Sequence, residues 1–471
     1  MAINILTDGW TFITTSSEER MSDRKFISYS QDQDFLLPPS LRDWLPEGHL
    51  AHFVSDSVDS FDLSEWEASY ASKTGAGAPP FPPQMMLKVM LYGYAVGVFS
   101  SRKLATRCVE DVAFRYLAGQ LRPDFRSILK FRKRHLKRFQ SLFVQVVELA
   151  RESGMVKLGR VAIDGSKFKA NASKHKAMSY SHMCAQEKKL QEEIAAILEQ
   201  VEAVDAAEDE EFGDYDGYSL PDALAHRQKR LATIQAAKAR LEERARERAR
   251  QESERREEEA AERESKGEKP RKYRKDPDPM PKAKEQENFT DPDSRIMKDG
   301  ASKGFIQAYN AQIAVDDTAQ IVVATTLNNQ ASDSRQLLPV IEAVYKNTGT
   351  HPEAVLADAG YKSEENFETL ATLPTDGYIA CGREAYDPRE QCPRGPLPRN
   401  ATHVDRMERK LKTKKGRKTY KKRKHIVEPV FGWIKQVLGF RQLSLRGEEN
   451  AQAEFEFICA ALNLRRMATI T

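Results

Sequence analysis

The sequence predicts an α/β core with a mixed sheet, joined to an all-α N-terminal domain and interrupted by a helical-hairpin insertion. Three observations predict this fold class. Residues 36–155 keep a helical spacing of apolar side chains, and after Gly159 the apolar runs become short and rich in β-branched residues. Residues 175–300 carry long, highly charged helical patterns that interrupt the second region. A chain of 471 residues has room for about two or three domains.

The N-terminal part divides into a polar segment and a helical domain. Residues 1–35 are rich in Ser, Thr and Asp without sustained periodicity, which predicts disorder. Within the helical domain, 36–155, the run 83–98 is apolar on most sides and predicts a buried helix that begins at Pro83. One further helix is predicted at 101–117.

A basic helix at 124–135 follows, with Asp124 as its expected N-cap. Its bases include Arg132 and Lys133, and its apolar residues are available for packing. Two interpretations stay open. The helix pair is a helix-turn-helix reader with 124–138 in a DNA groove, or it is an ordinary packing module with a basic surface.

The α/β core, assigned to 156–174 and 301–465, is predicted from alternating strand and helix patterns after Gly159. Its elements are strands at 160–164, 309–316, 321–327, 354–358 and 377–380, and helices at 334–346 and 364–372. The two strands at 309–316 and 321–327 are separated by a turn-forming stretch, which predicts a hairpin. The sheet therefore has mixed strand directions.

The insertion, 175–300, contains two runs of apolar residues at helical spacing, separated by an acidic loop with Gly213, Gly217 and Pro221. This pattern predicts an antiparallel helical hairpin followed by a linker from 266 to 292. A purely structural role is the plain interpretation. The alternative is that the insertion supports dimerisation or clamps DNA.

Composition excludes several classes of protein. No stretch of 18 or more apolar residues is present, and the N-terminus lacks a signal-peptide pattern, so we expect a cytoplasmic protein rather than a secreted or membrane one. The five cysteines form no C-x-x-C pair, which suits a reducing compartment. A metal site built from Cys381 and Cys392 with a histidine is disfavoured.

Charge is strongly segregated behind a net charge of +4. Seven acids and no base lie between 205 and 216, whereas eleven of the sixteen residues from 409 to 424 are Lys or Arg. Dense positive charge binds phosphate by releasing counterions, so the second run indicates a nucleic-acid partner. A solvated or targeting tail is the alternative on composition alone.

Two aspartates follow apolar strand patterns, and each has a glycine close behind it. Asp164 precedes Gly165, and Asp358 is two residues before Gly360. Acids at the ends of neighbouring strands are suited to hold the two divalent cations that phosphoryl transfer uses. The glycines let the backbone turn and leave room for substrate and metal-bound water.

The third candidate is Glu428, which is followed by Pro429. The proline requires Glu428 to lie near the first turn of a helix or at a kink. Lys435 is seven residues later, so we expect it on the same helix face. This pair suits a glutamate that binds metal and a lysine that binds a DNA phosphate. A surface Glu–Lys helix is the alternative.

Three segments resemble the catalytic motifs of DDE transposases of bacterial insertion sequences: AIDGSKFKANAS at 162–173, ADAGYKS at 357–363 and VEPVFGWIK at 427–435. The segments 37–49, 309–316 and 328–333 are also similar to that family, and the resemblance covers roughly 30–465. Residues 1–20 have no counterpart, which leaves Met21 as an alternative start.

The resemblance implies an RNase H-like catalytic domain with Asp164, Asp358 and Glu428 as the metal-binding triad. It also implies two Mg²⁺ or Mn²⁺ ions with DNA bound, recognition of the element's terminal inverted repeats, a homodimer or larger assembly, and strand transfer through a freed 3′-hydroxyl. The spacing fits: without the 126 residues of the insertion, 68 residues separate the aspartates, and 70 separate Asp358 from Glu428.

One departure concerns the residues before the glutamate. Relatives often carry Tyr and Arg seven and four residues before it, where this chain has Lys421 and Lys424, with Tyr420 and Arg423 one residue off. The expected DNA-contacting residues are Arg132, Lys133, Lys421, Lys422, Arg423, Lys435, Arg441 and Arg446. Two other functions stay open: an inactive DNA-binding regulator, and an RNase H-like nuclease that does not join strands.

Overall fold

The structure is a computed structural model that describes residues 5–6, 9–10, 40–70, 79–212, 222–265, 267, 269–300, 303–382, 395–398 and 400–470. It divides into two units, Met1–Trp44 and Leu45–Thr471. In the first unit, β1 (Ile5–Leu6) pairs antiparallel with β2 (Gly9–Trp10). The predicted disorder of 1–35 otherwise lies outside the described residues and stays a prediction.

The second unit begins with seven helices: α1 (Leu50–Ser60), α2 (Ser64–Ala68), α3 (Pro83–Ala95), α4 (Ser101–Glu110), α5 (Val112–Leu117), α6 (Phe125–His135) and α7 (Phe139–Glu152). The predicted start at Pro83 and the Asp124 cap of α6 are confirmed. The single helix expected at 101–117 is wrong. Asp111 adopts an extended backbone and its side chain caps the amides of Ala113 and Phe114, which ends α4 and starts α5.

The mixed sheet has the strand order β10-β9-β3-β7, and β6 and β8 both pair with β7. Its strands are β3 (Arg160–Lys169), β6 (Arg295–Lys298), β7 (Phe305–Asp316), β8 (Val322–Asn328), β9 (Ala354–Ala357) and β10 (Asp376–Ile379). β3 is antiparallel to β7 and parallel to β9, and β7 is antiparallel to β8. The predicted mixed directions, hairpin and RNase H-like core are confirmed.

Strand β3 is longer than the sequence suggested. We expected it to end at Asp164, but its pairing with β7 continues to Lys169. The parallel ladder with β9 ends at Ala162, which is where the apolar run also ends. Asp164 therefore lies inside β3, just past the end of the parallel ladder, and not at the end of the strand. At this position β3 is paired only with β7, and this antiparallel pairing keeps the backbone extended.

The remaining helices of the core are α10 (Leu337–Thr348), α11 (Glu364–Thr372), α12 (His403–Lys412), α13 (Lys414–Tyr420), α14 (Arg423–Gly432) and α15 (Glu448–Ile470). The sequence analysis assigned no element to α15. This helix packs against α3, α7 and β8, so the N-terminal helices and the sheet share one continuous apolar core.

The insertion contains α8 (Tyr180–Phe212) and α9 (Asp222–Ser265). Ion pairs Glu187–Lys238 and Glu193–Arg227 run in opposite directions along the two helices, which confirms the antiparallel hairpin. Its apolar contacts form a cluster separate from the main core. At its root, β4 (Ala177–Ser179) pairs with β5 (Gln286–Asn288).

The boundary of the insertion differs from the predicted one. We expected it to extend to 300, but β6 pairs with β7 in the main sheet. Arg295–Lys298 is too short and too charged to reveal a strand by periodicity, and only pairing with β7 defines it. The expected linker also lies close to α9, since Arg256 donates to the Lys275 carbonyl oxygen over 2.9 Å.

Within the described residues, no helix is both long and apolar enough to cross a membrane. The four described cysteines, Cys108, Cys184, Cys381 and Cys459, are in the free thiol form. Cys392 lies outside the described residues.

Candidate active site

Strand register brings the two aspartates together. In the parallel ladder, Arg160 lies opposite Ala354 and Ala162 lies opposite Leu356. Two residues farther along each strand, past the last paired residues, the same register puts Asp164 opposite Asp358. Residues at the same level of neighbouring strands project from the same face of the sheet. The two carboxylates are close enough for mutual repulsion to contribute to the pKa of Asp164.

Asp164 is mostly buried, with 21% of its side chain exposed. Its Oδ1 accepts a hydrogen bond of 2.9 Å from the amide of Gly165. Burial raises the pKa of Asp164 to about 6, and repulsion from Asp358 and Asp333 adds to this, while Arg423 opposes it. A carboxyl that is costly to ionise is suited to bind a cation, which removes the cost.

Asp358 immediately follows β9 and caps a short turn, Ala359–Tyr361. Its Oδ1 accepts a hydrogen bond of 2.8 Å from the amide of Gly360. A side chain at position 360 would bring a Cβ to 2.9 Å from that same oxygen. Glycine is therefore required there for the reason that the sequence indicated: it leaves space beside the carboxylate.

A third acid, Asp333, lies close to the glycines that follow these two aspartates, Gly165 and Gly360. Its Oδ1 accepts hydrogen bonds of 2.7 Å from Asn310 Nδ2 and from Gln312 Nε2, and Lys167 Nζ lies 3.6 Å away. Gln312 is held in turn by the hydroxyl of Tyr361, which donates to its Oε1. Asp333 is thus fixed in place from strands β3 and β7.

Asp333 ends the segment 328–333 and was not among the predicted site residues. One signal was present. Asn310 and Gln312 alternate on one face of β7, opposite Lys167 and Gly165 in the register. Amides on an otherwise buried strand indicate a polar partner, because buried polar groups need hydrogen bonds.

Glu428 approaches from helix α14, and its side chain is 53% exposed. Arg423, five residues earlier on the same helix, links it to Asp164. Arg423 Nη1 lies 3.5 Å from Asp164 Oδ2, and Nη2 lies 3.6 Å from Glu428 Oε1. The Arg423 side chain is only 9% exposed, so the guanidinium fills the space between two of the three predicted triad members.

Pro429 lies inside α14 rather than in its first turn. A proline cannot donate to the carbonyl four residues earlier, which belongs to His425. That carbonyl oxygen instead accepts a hydrogen bond of 2.6 Å from Gln320 Nε2. The helix continues past Gly432 as a π-helical turn, Trp433–Val437. This turn changes the angle around the helix axis between Glu428 and Lys435, which we expected to share one face of a regular α-helix.

The donor set is all oxygen, which fits Mg²⁺ or Mn²⁺. Asp164 and Asp358 provide two neighbouring carboxylates on rigid elements, as such ions require. Across the described ranges, no three His, Cys, Asp or Glu side chains already form a cluster that could hold a metal. Glu428 is paired with Arg423, which also pairs with Asp164.

A basic cleft opens beside Glu428. Its volume is about 1260 Å³, and its lining includes Lys412, Lys414, Arg417, Lys418, Lys421, Arg423, Lys424, His425 and Glu428. Two of the predicted DNA contacts, Lys421 and Arg423, therefore line it, and Lys422 is exposed next to them. The basic run of the sequence folds into α12, α13 and the start of α14 rather than forming an extended tail.

Three of the other predicted contacts lie near β3. Lys435 Nζ donates to Ser166 Oγ and to the Lys167 carbonyl, both over 2.7 Å, so it supports the strand two residues from Asp164. Arg441 and Arg446, which follow Lys435 in the chain, are exposed.

On α6, Lys133 is exposed, but Arg132 differs from the expectation because its guanidinium is buried. It donates to Tyr94 Oη and lies 3.9 Å from Glu454. A phosphate contact by Arg132 would therefore require an internal ion pair to break.

Comparison with protein families gives two matches. Residues 39–134 match a transposase domain (DUF772), which covers α1 to α5 and nearly all of α6. Residues 276–464 match a transposase DDE domain, which includes Asp333, Asp358 and Glu428. β3, with Asp164, and both helices of the insertion lie outside these matches. No curated protein and no solved structure matches the chain.

Proposed function

Because the chain belongs to the DDE transposases, which are polynucleotidyl transferases, we propose that Asp164, Asp358 and Glu428 are its catalytic carboxylates. The observation that carries this proposal is the convergence of the two aspartates at one level of β3 and β9, with Arg423 connecting Asp164 to Glu428. The substrates are the duplex ends of the element, with their inverted repeats, and a target duplex.

Asp164 and Asp358 would hold the divalent metal, with Glu428 completing the site. Two bound ions supply activation of the attacking hydroxyl and stabilisation of the leaving oxygen. The contacts of Asp333 with Asn310, Gln312 and Lys167 hold this third acid in a fixed position beside the aspartates.

Arg423 acts as the counter-charge of the site when metal is absent. Its Nε and Nη1 atoms donate no hydrogen bond within the described part of the chain, so few directional contacts oppose its movement. When Arg423 leaves Glu428, its guanidinium remains in the wall of the basic cleft. There it can bind a DNA phosphate in bidentate fashion.

The cleft binds the DNA backbone through Lys421, Lys422 and Arg423. Arg441 and Arg446 extend this surface along β3, and Lys133 contributes from α6. These contacts are sequence-independent, so reading of the inverted repeats falls to base contacts elsewhere, for which the exposed face of α6 is our candidate. Action as a homodimer or larger assembly follows from the need to hold two element ends.

The test is cleavage of a labelled duplex that carries the element's terminus, with Mg²⁺ or Mn²⁺. Wild type is compared with Asp164→Ala, Asp358→Ala and Glu428→Ala, and with Glu368→Ala as a matched control, since Glu368 is an exposed acid on α11. We expect cleavage to be lost in the three triad variants and kept in the control, with end binding retained in all. Cleavage that survives any one triad substitution removes that residue from the proposal.

The same assay separates the other functions. A product in which the cleaved 3′ end is joined to a second duplex supports a transposase, whereas cleavage without joining supports a nuclease. Tight end binding without cleavage by wild type supports a DNA-binding regulator.

A further inference from the structure

A second basic cleft lies at the root of the insertion, away from the catalytic carboxylates. There β4 and β5 pair, with Ala177 opposite Asn288, and the amide of Phe289 donates to the Lys176 carbonyl over 3.0 Å. Asn288 Nδ2 donates to the Ser173 carbonyl over 2.7 Å. These bonds fix the short segment after β3 against the segment that returns from α9. We call this feature the root cleft.

The root cleft has a volume of about 460 Å³. Its apolar floor consists of Met178, Ile234 and Phe289, and its remaining lining residues are His175, Lys176, His226, Lys229, Arg230 and Thr233. None of these nine lining residues is acidic. Ile234 is fully buried in the apolar cluster of the hairpin, which makes the floor rigid.

The basic residues of the root cleft differ from the other bases of the insertion. His226, Lys229, Arg230 and Thr233 lie on one face of α9, because helical positions three, four and seven residues apart share a face. Nearby arginines are paired: Arg227 with Glu193, and both Arg240 and Arg244 with the buried Glu287. By contrast, Lys176, Lys229 and Arg230 are exposed and form no ion pair with any described residue.

The root cleft continues a basic path that starts at the active site. Five strand steps of about 3.3 Å separate Asp164 from Lys169 on β3, which is roughly 17 Å. The backbone amide of Lys169 donates to the Arg441 carbonyl over 3.1 Å, and Arg446 Nε donates to the Asn171 carbonyl over 3.1 Å. The turn Lys174–Lys176 follows directly. Arg441 and Arg446 therefore contact the chain at Lys169 and Asn171, between β3 and Lys176 of the root cleft.

We propose that the root cleft is a phosphate-binding site for the flank of the DNA duplex whose scissile end lies at the catalytic carboxylates. The proposal rests on the proposed function, since it assigns a second contact to the same DNA. A duplex advances about 3.4 Å for each base pair, so the roughly 17 Å from Asp164 to Lys169 corresponds to about five base pairs. The insertion thereby contributes affinity without touching the reacting atoms.

The acidic run of the same chain is the competing occupant. Glu193 on α8 pairs with Arg227 next to the root cleft, whereas the acidic residues begin at 205. With a rise of about 1.5 Å for each residue, the helical residues 205–212 lie roughly 18–28 Å farther along α8. The helical part of the acidic run, 205–212, therefore lies farther along α8 than the pair Glu193–Arg227 beside the root cleft.

The experiment measures duplex binding by the full-length protein as a function of salt. The variant K176Q/K229Q/R230Q is compared with wild type and with K188Q/K189Q/R250Q, which removes the same charge from exposed positions elsewhere on the hairpin. The probe is a labelled duplex of about 40 bp, titrated between about 50 and 200 mM salt. Circular dichroism and thermal melting verify that each variant is folded.

For the root-cleft variant we expect Kd at the upper salt range to rise at least about tenfold, and the slope of log K against log salt to lose about 2–3 units. The control variant keeps both values. The single variants K176Q, K229Q and R230Q should each lose about one unit of slope, which keeps the test valid if the triple variant folds poorly.

An unchanged slope in the root-cleft variant, with wild type still binding DNA, overturns this inference alone. A changed sedimentation coefficient with an unchanged slope also overturns it, because the cleft is then a protein contact. If wild type binds no duplex at any salt concentration, the proposed function fails together with it.

Discussion

At the scale of single residues, the site places a carboxylate where its ionisation is unfavourable. Asp164 is mostly buried and lies beside Asp333 and Asp358, and the attraction of Arg423 does not outweigh the burial. Such a residue lowers the stability of the metal-free protein at neutral pH. A bound divalent cation makes ionisation of Asp164 favourable, because each acid is attracted to the cation and this attraction replaces the repulsion between the acids. The presence of a buried acid at position 164 is thus explained by cation binding and not by the stability of the fold.

Replacing Asp164 with Asn should stabilise the metal-free protein at pH 8. The folded pKa of Asp164, about 6, is above its ordinary value of 3.8, so the protonated carboxyl contributes stability below about pH 4 that is lost as pH rises through 6. Asparagine resembles the protonated form at every pH. We expect a gain of roughly 2–3 kcal/mol in unfolding free energy at pH 8 and little change at pH 4.

Thermal melts with a chelator at the two pH values measure this difference. Addition of Mg²⁺ should then raise the melting midpoint of wild type but not of Asp164→Asn. A gain of equal size at pH 4 and pH 8 would contradict the explanation, since it would not depend on the charge.

Gly165 is needed because of the two side chains that face it. A Cβ at this position would lie 2.4 Å from Gln312 Nε2 and 2.8 Å from Asp333 Oδ1. Gly165→Ala should therefore displace Asp333 while leaving the strand backbone in place. We expect cleavage to fall by about 10–100-fold, as is typical when the residues that orient metal ligands are disturbed, with a loss of only about 1–2 kcal/mol in stability.

Gly159→Ala is the matched control. The same methyl group there has only Glu353 Oε2 at 4.0 Å as its nearest neighbour. Activity and melting should both stay close to wild type. Equal effects of the two substitutions on cleavage would mean that Asp333 has no part in the site.

At the scale of elements, strand β3 and helix α14 each serve two neighbours. β3 leaves the parallel ladder with β9 at Ala162 but stays paired with β7, so Asp164 has no strand partner on the side where Asp358 lies. Helix α14 tolerates Pro429 because Gln320, from the β7–β8 turn, binds the carbonyl that the proline leaves free. On both β3 and α14, the candidate site lies where one regular pattern of backbone hydrogen bonds ends and the backbone is bound by a different partner.

The root of the insertion depends on a buried acid in β5. The carboxylate of Glu287 is fully buried and accepts from both Arg240 and Arg244 of α9. Glu287→Ala should weaken the attachment of α9 by about 2–3 kcal/mol, below the ~3–5 kcal/mol of a fully buried pair, because both arginines remain partly exposed. Amide hydrogen exchange across α9 measures this local stability.

Glu254→Ala removes an acid from the same helix for comparison. Its pair with Arg250 is exposed on both sides, at 3.9 Å, so exchange should change by less than about 0.5 kcal/mol. If both substitutions change exchange in α9 equally, Glu287 does not anchor the hairpin.

At the scale of the whole molecule, the main core and the insertion are stabilised separately. Helix α15 joins the N-terminal helices to the sheet in one apolar core, whereas the insertion has its own smaller cluster around Ile234. The two strands of the root are directly opposed, with Ser179 paired to Gln286. The chain can therefore be closed at this point by a tight turn.

Deletion of 180–285, with an Asn-Gly turn joining Ser179 to Gln286, should leave a folded core. A type I′ turn suits two opposed antiparallel residues. We expect the Mg²⁺-dependent shift of the melting midpoint to persist, because no candidate ligand is removed. Duplex binding should weaken and lose about 2–3 units of salt slope. A deletion variant that fails to fold, or one that binds DNA as wild type does, would contradict this division of roles.

Local patterns predicted most elements of the fold. Pro83, the Asp124 cap and the helix Glu364–Thr372 are where periodicity and capping indicated, because these signals act within a few residues. Strand β6, helix α15 and the continuation of β3 to Lys169 were missed. Each depends on a partner distant in sequence: β6 and β3 on β7, and α15 on α3, α7 and β8.

The sequence by itself determined the family, the α/β class and the identity of the candidate acids, because strand-forming runs, glycines and motif spacing are local properties of the chain. Only the tertiary structure decided that Asp164 lies level with Asp358, that Asp333 lies close by, and that Arg423 occupies the place beside Glu428. It also decided that Arg132 is internal and that Lys229 and Arg230 are exposed beside Lys176. Burial and the pairing of distant charges depend on how elements pack, and no local pattern encodes them.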